Sequence, residues 1–151
     1  GLVAAPTRVI DLGALADGRV ELLSESTARV FSSARAKAYD VTWDLTKNEI
    51  GSNDNGSYWQ KYLSYPGLAV LMKLQKLPFH EQFAELLKNI SWGTLNEDLR
   101  RDYAKVEEYV LSLVVKQGGN RDAVHSFVSQ VLLDLEKLQL VRPLVLPRPP
   151  R

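Results

Sequence analysis

Residues 94–140 read TLNEDLRRDYAKVEEYVLSLVVKQGGNRDAVHSFVSQVLLDLEKLQL, and the expected fold class turns on how this stretch is parsed. Leu99, Tyr103, Val106, Val110, Leu113 and Val114 recur in steps of three and four, so a helix places all six on one stripe. Thr94 followed by Glu97 has the spacing of a capping box, and Glu97 with Asp98 suits the positive end of the helix dipole. Gly118 or Gly119 can take the left-handed conformation that closes a helix, and Asn120 can cap a second one with Asp122 in its first turn. Val124, Phe127, Val128, Val131, Leu135 and Leu138 repeat the stripe. So short a link predicts an antiparallel pair. Val115, Leu133 and Leu140 fall off the stripes, which predicts a second contacted face.

Working toward the N-terminus, Pro78 opens a segment whose Phe79, Phe83, Leu86, Leu87 and Ile90 form another helical stripe ending at Trp92-Gly93. Leu68 to Leu77 is apolar nearly all round and predicts a central helix. Tyr58 to Tyr65 predicts a short helix, preceded at 47–57 by a loop rich in Asn, Gly and Ser, where mobility is expected. From Val30 to Leu45 two periods compete. Tyr39, Val41, Trp43 and Leu45 alternate with polar residues as in a strand, while Val30, Phe31, Ala34, Ala38, Val41 and Leu45 fit a helix. The unbroken 3.6-residue stripe and the Ala-rich lead-in favour helix. Residues 7–12 and 19–23 are short β-prone runs with Asp17-Gly18 between them, predicting a hairpin over 7–23.

Beyond Leu140, prolines at 143, 147, 149 and 150 forbid a helix. Leu144 to Leu146 can at most form an edge strand beside the N-terminal hairpin, and residues 147–151 are expected to fray. The reading is a mostly α, single-domain bundle of five to six helices over residues 1–142 with that minor β element, and a Pro/Arg-rich tail at 143–151.

Composition narrows the chemistry. The 151 residues carry Lys+Arg 19 against Asp+Glu 18, a net charge of +1, so no global field draws the chain to nucleic acid. Cysteine is absent, which excludes disulfides, thiolate nucleophiles and cysteine metal sites. No apolar run approaches the roughly 20 residues of a membrane span, and the N-terminus lacks the pattern of a signal peptide. A cytoplasmic setting is expected, with no membrane partner. His80-Glu81 starts like a zinc-protease helix, but Ala84 stands where the second histidine belongs. Asn53-Asp54-Asn55-Gly56 evokes an EF-hand, yet Gly51 and Tyr62 occupy ligand positions. Gly118-Gly119 lacks the Lys and Ser/Thr of a phosphate loop. No cofactor and no metal are expected.

What remains is surface. Tyr58, Tyr62 and Tyr65 share a helical face, with Trp59 beside them, and together with the off-stripe Leu133 and Leu140 they are the candidate interaction surface. The expectation is a non-catalytic helical module acting through a protein partner or as a homo-oligomer. The alternative is nucleic-acid binding through Lys61, Lys73, Lys76, Arg100, Arg101 and Lys105, with the aromatics stacking bases.

Overall fold

Residues 38 to 44 obey a period of two. Val41 and Trp43 are buried, while Asp40, Thr42 and Asp44 between them are partly exposed, as the alternating faces of a strand require. The computed structural model describes residues 3–4, 19–32, 37–60, 62–63, 65–78, 81, 85 and 103–150. In it, Ala38–Asp44 is strand β4, flanked by β3 (Thr27–Phe31) and β5 (Glu49–Ser52), both antiparallel to it. β2 (Val20–Leu22) pairs with the far side of β3, giving the order β2-β3-β4-β5.

This sheet overturns the expected helix from Val30 to Leu45, and with it the all-α bundle. The described residues form an α+β fold with a four-stranded antiparallel sheet and four helices. The physical reason lies in the register. β3 and β4 set Ala28 opposite Val41 and Val30 opposite Tyr39, so two strands together present the apolar residues that one helix would have aligned. Trp43, which the helical stripe leaves outside, joins Val41 on the buried face and sits opposite Ile50. Val-Thr-Trp is also β-prone.

The other β expectations need revision as well. Of the hairpin over 7–23, the second run forms β2, but its partner in the described sheet is β3, and residues 7–12 lie outside the described residues. The C-terminal residues join the opposite edge, where Val141 bridges Glu49 of β5 in parallel. A separate pair links β1 (Val3–Ala4) to β6 (Tyr62–Leu63), also in parallel. The expected loop at 47–57 holds β5 and the start of helix α1 (Asn55–Gln60).

The central apolar run behaves as its composition demands. Leu68, Ala69, Val70, Leu71 and Met72 are all at most 2% exposed in helix α2 (Tyr65–Lys73), which lies across β2 to β5. Leu71 alone contributes about 1.5 to 3 kcal/mol by leaving water. Helices α3 (Tyr103–Lys116) and α4 (Arg121–Leu138) bring Val110, Leu111, Val114, Val124, Val131 and Leu135 to the same core. Their boundary forms as the sequence reading has it. Gly118 takes φ +87, and the Asn120 side chain accepts from the Ala123 amide at 3.0 Å. The Glu108 carboxylate accepts from both terminal nitrogens of Arg121, one at 2.7 Å, which ties α3 to the first turn of α4. Among the described residues the two helices touch each other little, and each buries side chains in the shared core, with α4 also meeting β1. Of the expected helix at 79–90 only Glu81 and Glu85 are described, both helical and exposed, and the rest of it lies outside the described residues together with the Thr94 capping box.

Candidate interaction site

After Leu140 the chain runs onto the edge of the sheet. The Val141 amide donates to the Asn48 carbonyl at 2.7 Å, and the Ile50 amide donates to the Val141 carbonyl at 3.0 Å. Prolines at 143 and 147 then keep the backbone extended and remove donors that would need partners. On β5 the residue facing this segment is Gly51. A Cβ there would collide with the Leu146 side chain and lie 2.9 Å from Pro143, so only glycine lets the strap lie this close. At the far end the Asn53 Nδ2 donates to the Arg148 carbonyl at 3.2 Å, while Asn53 Oδ1 accepts from the Asp40 amide at 2.7 Å. Asn53 thus clamps the strap to β4.

With Pro143 and Leu146 turned toward the sheet, Leu144 and Val145 point away from it. They are 103% and 84% exposed, far above the other large apolar residues described apart from Trp59 at 68%. Trp59 is joined to the strap through Tyr58. The Arg142 guanidinium sits 5.6 Å over the Tyr58 ring, and Trp59 meets that ring edge-on with centroids 4.6 Å apart. A cation over an aromatic face contributes about 0.5 to 1 kcal/mol at a site of this exposure.

Beneath the aromatics lies a buried polar cluster. Asp54 caps α1, its Oδ2 accepting from the Ser57 amide at 3.1 Å. Ser52, Asn53, Asp54 and Ser57 are all buried. Asp54 Oδ1 and Arg142 Nε are buried atoms with no hydrogen-bond partner among the described residues. Tyr39 reports on this environment: burial, then the charge of Asp54, push its hydroxyl above the ordinary value of 10.0. Its neutral form is therefore favoured in the folded state. The associated stability is complete below pH 10 and is lost as pH rises from there through the raised folded-state value. Tyr39→Phe is expected to flatten the alkaline fall in the urea midpoint, and an unchanged slope above pH 10 would count against the burial of that hydroxyl.

The expected interaction residues divide. Tyr58 is half-buried, Trp59 and Leu133 are exposed, and Leu140 is a core residue at 3% exposure. The side chains of Tyr62 and Tyr65 lie outside the described part. Val115, also off-stripe, is 50% exposed. Of the basic set, Lys73, Lys76 and Lys105 are exposed, and Lys61, Arg100 and Arg101 lie outside the described residues. His125 is exposed beside Glu108, whose carboxyl the Arg121 hydrogen bond holds below its usual range. His80 lies outside the described residues. Among the described residues no group of three or more His, Cys, Asp or Glu side chains is placed to hold a metal. No helix among them is long and apolar enough to cross a membrane.

The strap residues Gly51, Asn53, Arg142, Leu144 and Val145 were not legible as a site in the sequence. The available signal was apolar residues framed by Pro143 and Pro147, with a glycine in a strand-prone run elsewhere. No curated protein and no solved structure matches the chain. A family model covers residues 8–141, most of the sequence, and the chain therefore belongs to the family described as Uncharacterised conserved protein UCP014422.

Proposed function

We propose that the protein is a non-catalytic α+β module acting through contacts with protein surfaces, and that the strap 141–148 with Tyr58 and Trp59 is its contact site. The observation that carries this reading is the pairing of opposites at Leu144 and Val145. Their side chains are almost wholly in water, while their backbone is pinned at Val141, Gly51 and Asn53. Ordering a flexible segment on binding costs free energy, and a segment already held extended avoids most of that cost. Burying both side chains would contribute about 1.5 to 3 kcal/mol each. A tryptophan at the margin is the residue type that most often anchors such contacts. A chain without cysteine loses nothing in a reducing compartment, and the cytoplasm is the setting we infer.

The test is a photo-crosslinking amino acid placed at residue 145 in the full chain, expressed in cells, with the exposed Lys137 as control position. A discrete protein adduct from 145, absent from 137 and lost when Leu144→Asp is added, is the expected result. Adducts of equal pattern from both positions would end the proposal.

A further inference from the structure

The strap runs beside an open cavity at the surface of the sheet, which Trp43 also borders. Ser26, Thr27, Thr42, Asp44, Glu49 and Pro143 contribute to its lining, and its volume is about 220 Å³. That exceeds the roughly 150 Å³ that admits a ring the size of benzene. Pro143 is part of its wall, so the outward Leu144 is the next residue along the chain, its Cα about 3.8 Å from that of Pro143. An apolar knob and a hole of suitable size are thus adjacent on one surface. Leu144 does not fill its own cavity: its side chain stands in water while Pro143 and Leu146 rest on Gly51 and Asn53 holds the Arg148 carbonyl.

Charge points the same way. Asp44 and Glu49 face each other across β4 and β5 at the rim of the cavity. Like charges directly opposite in a sheet are unfavourable and call for a cation. Lys47 supplies part of it beside Asp44. The strap offers the rest: from Leu138 to Arg151 the chain holds three arginines and no carboxylate side chain, and Arg148 is exposed.

We infer that the strap's partner is a second copy of this chain, docked about a twofold axis so that Leu144 of each copy enters the cavity of the other, with arginine brought to the facing carboxylates. A knob lying next to its hole is the arrangement a twofold contact needs, because the same patch must serve both copies. This inference rests on the strap being the contact site, as proposed above.

The experiment is sedimentation of the purified full chain from about 1 to about 500 μM, alongside Leu144→Asp and Ser26→Arg. Leu144 makes no packing contact to lose, and Ser26 sits on an exposed bend, so both variants are expected to keep the parent's circular dichroism. The expected result is a concentration-dependent dimer, weakened about tenfold or more by either substitution. An equal mixture of the two variants should dimerise more tightly than either alone, since the mixed pair retains one intact knob and hole. A monomer throughout the range, or a dimer indifferent to Leu144→Asp, overturns the inference. If the purified chain stays monomeric while the crosslinker at 145 captures a different protein in cells, the contact site stands and the second copy falls. If neither yields an adduct, both fall.

Discussion

Trp43→Ala is expected to lower the free energy of unfolding by about 3 to 4 kcal/mol, the lower part of the range for a buried aromatic truncated to alanine. The lower part applies because Trp43, though only 8% exposed, also borders the open cavity on the sheet. Two residues further on, Leu45 is half-buried in the turn after β4 and packs only against the margin of the core. Leu45→Ala should therefore cost less, about 1 to 2 kcal/mol. The two substitutions together discriminate the architecture. In a helix running from Val30 to Leu45, Leu45 belongs to the apolar stripe and Trp43 lies outside it, so the order of the two effects would reverse. Urea unfolding followed by circular dichroism gives both numbers, and the slope against denaturant should stay at the parent value if each variant remains folded. A larger loss from Leu45→Ala than from Trp43→Ala would remove β4 and the sheet built on it.

That pair of residues also shows why the helices could be read and the sheet could not. Helical signals are local: Asn120, Asp122 and Gly118 lie within five residues of one another and each acts on a backbone group close by in the chain. The run from Leu68 to Met72 needs no partner to be recognised as central, since it has no polar face to offer water. A sheet is specified by pairing across turns. Ser33-Ala34-Arg35-Ala36, between β3 and β4, contains neither glycine nor proline, and the apolar residues of the two strands happen to fall at helical intervals. The site is less legible still. Gly51 looks like loop punctuation until Pro143 and Leu146 arrive against it from the far end of the sequence. Off-stripe apolar residues gave no means of separating Leu140, buried under the strap's origin, from Leu133, which is 53% exposed. That distinction is tertiary.

Deleting residues 141–151 is expected to cost about 3 to 4 kcal/mol and to make the chain prone to associate through its sheet edge. The magnitude follows from what the strap holds. Two main-chain hydrogen bonds link Val141 to Asn48 and Ile50, each with a net value of about 1 kcal/mol. The guanidinium of Arg142 over Tyr58 adds about 0.5 to 1 kcal/mol, and the bond from Asn53 Nδ2 to the Arg148 carbonyl about 1 more. Pro143 and Leu146 are only partly buried, and water replaces them without leaving a sealed void. The qualitative effect exceeds the energetic one, because β5 then presents unpaired amides and carbonyls to other chains. Gly51→Leu should reproduce the loss at full length, since its side chain needs the volume that Leu146 and Pro143 occupy. Leu144→Asp leaves every anchor in place and should change stability by less than about 0.5 kcal/mol. Urea midpoints and light scattering separate the three. Were the truncated chain as stable and as dispersed as the parent, the strap would not be part of the fold. Leu144 and Val145 would then be exposed merely because nothing holds them, and the case for a preformed contact would lose its support.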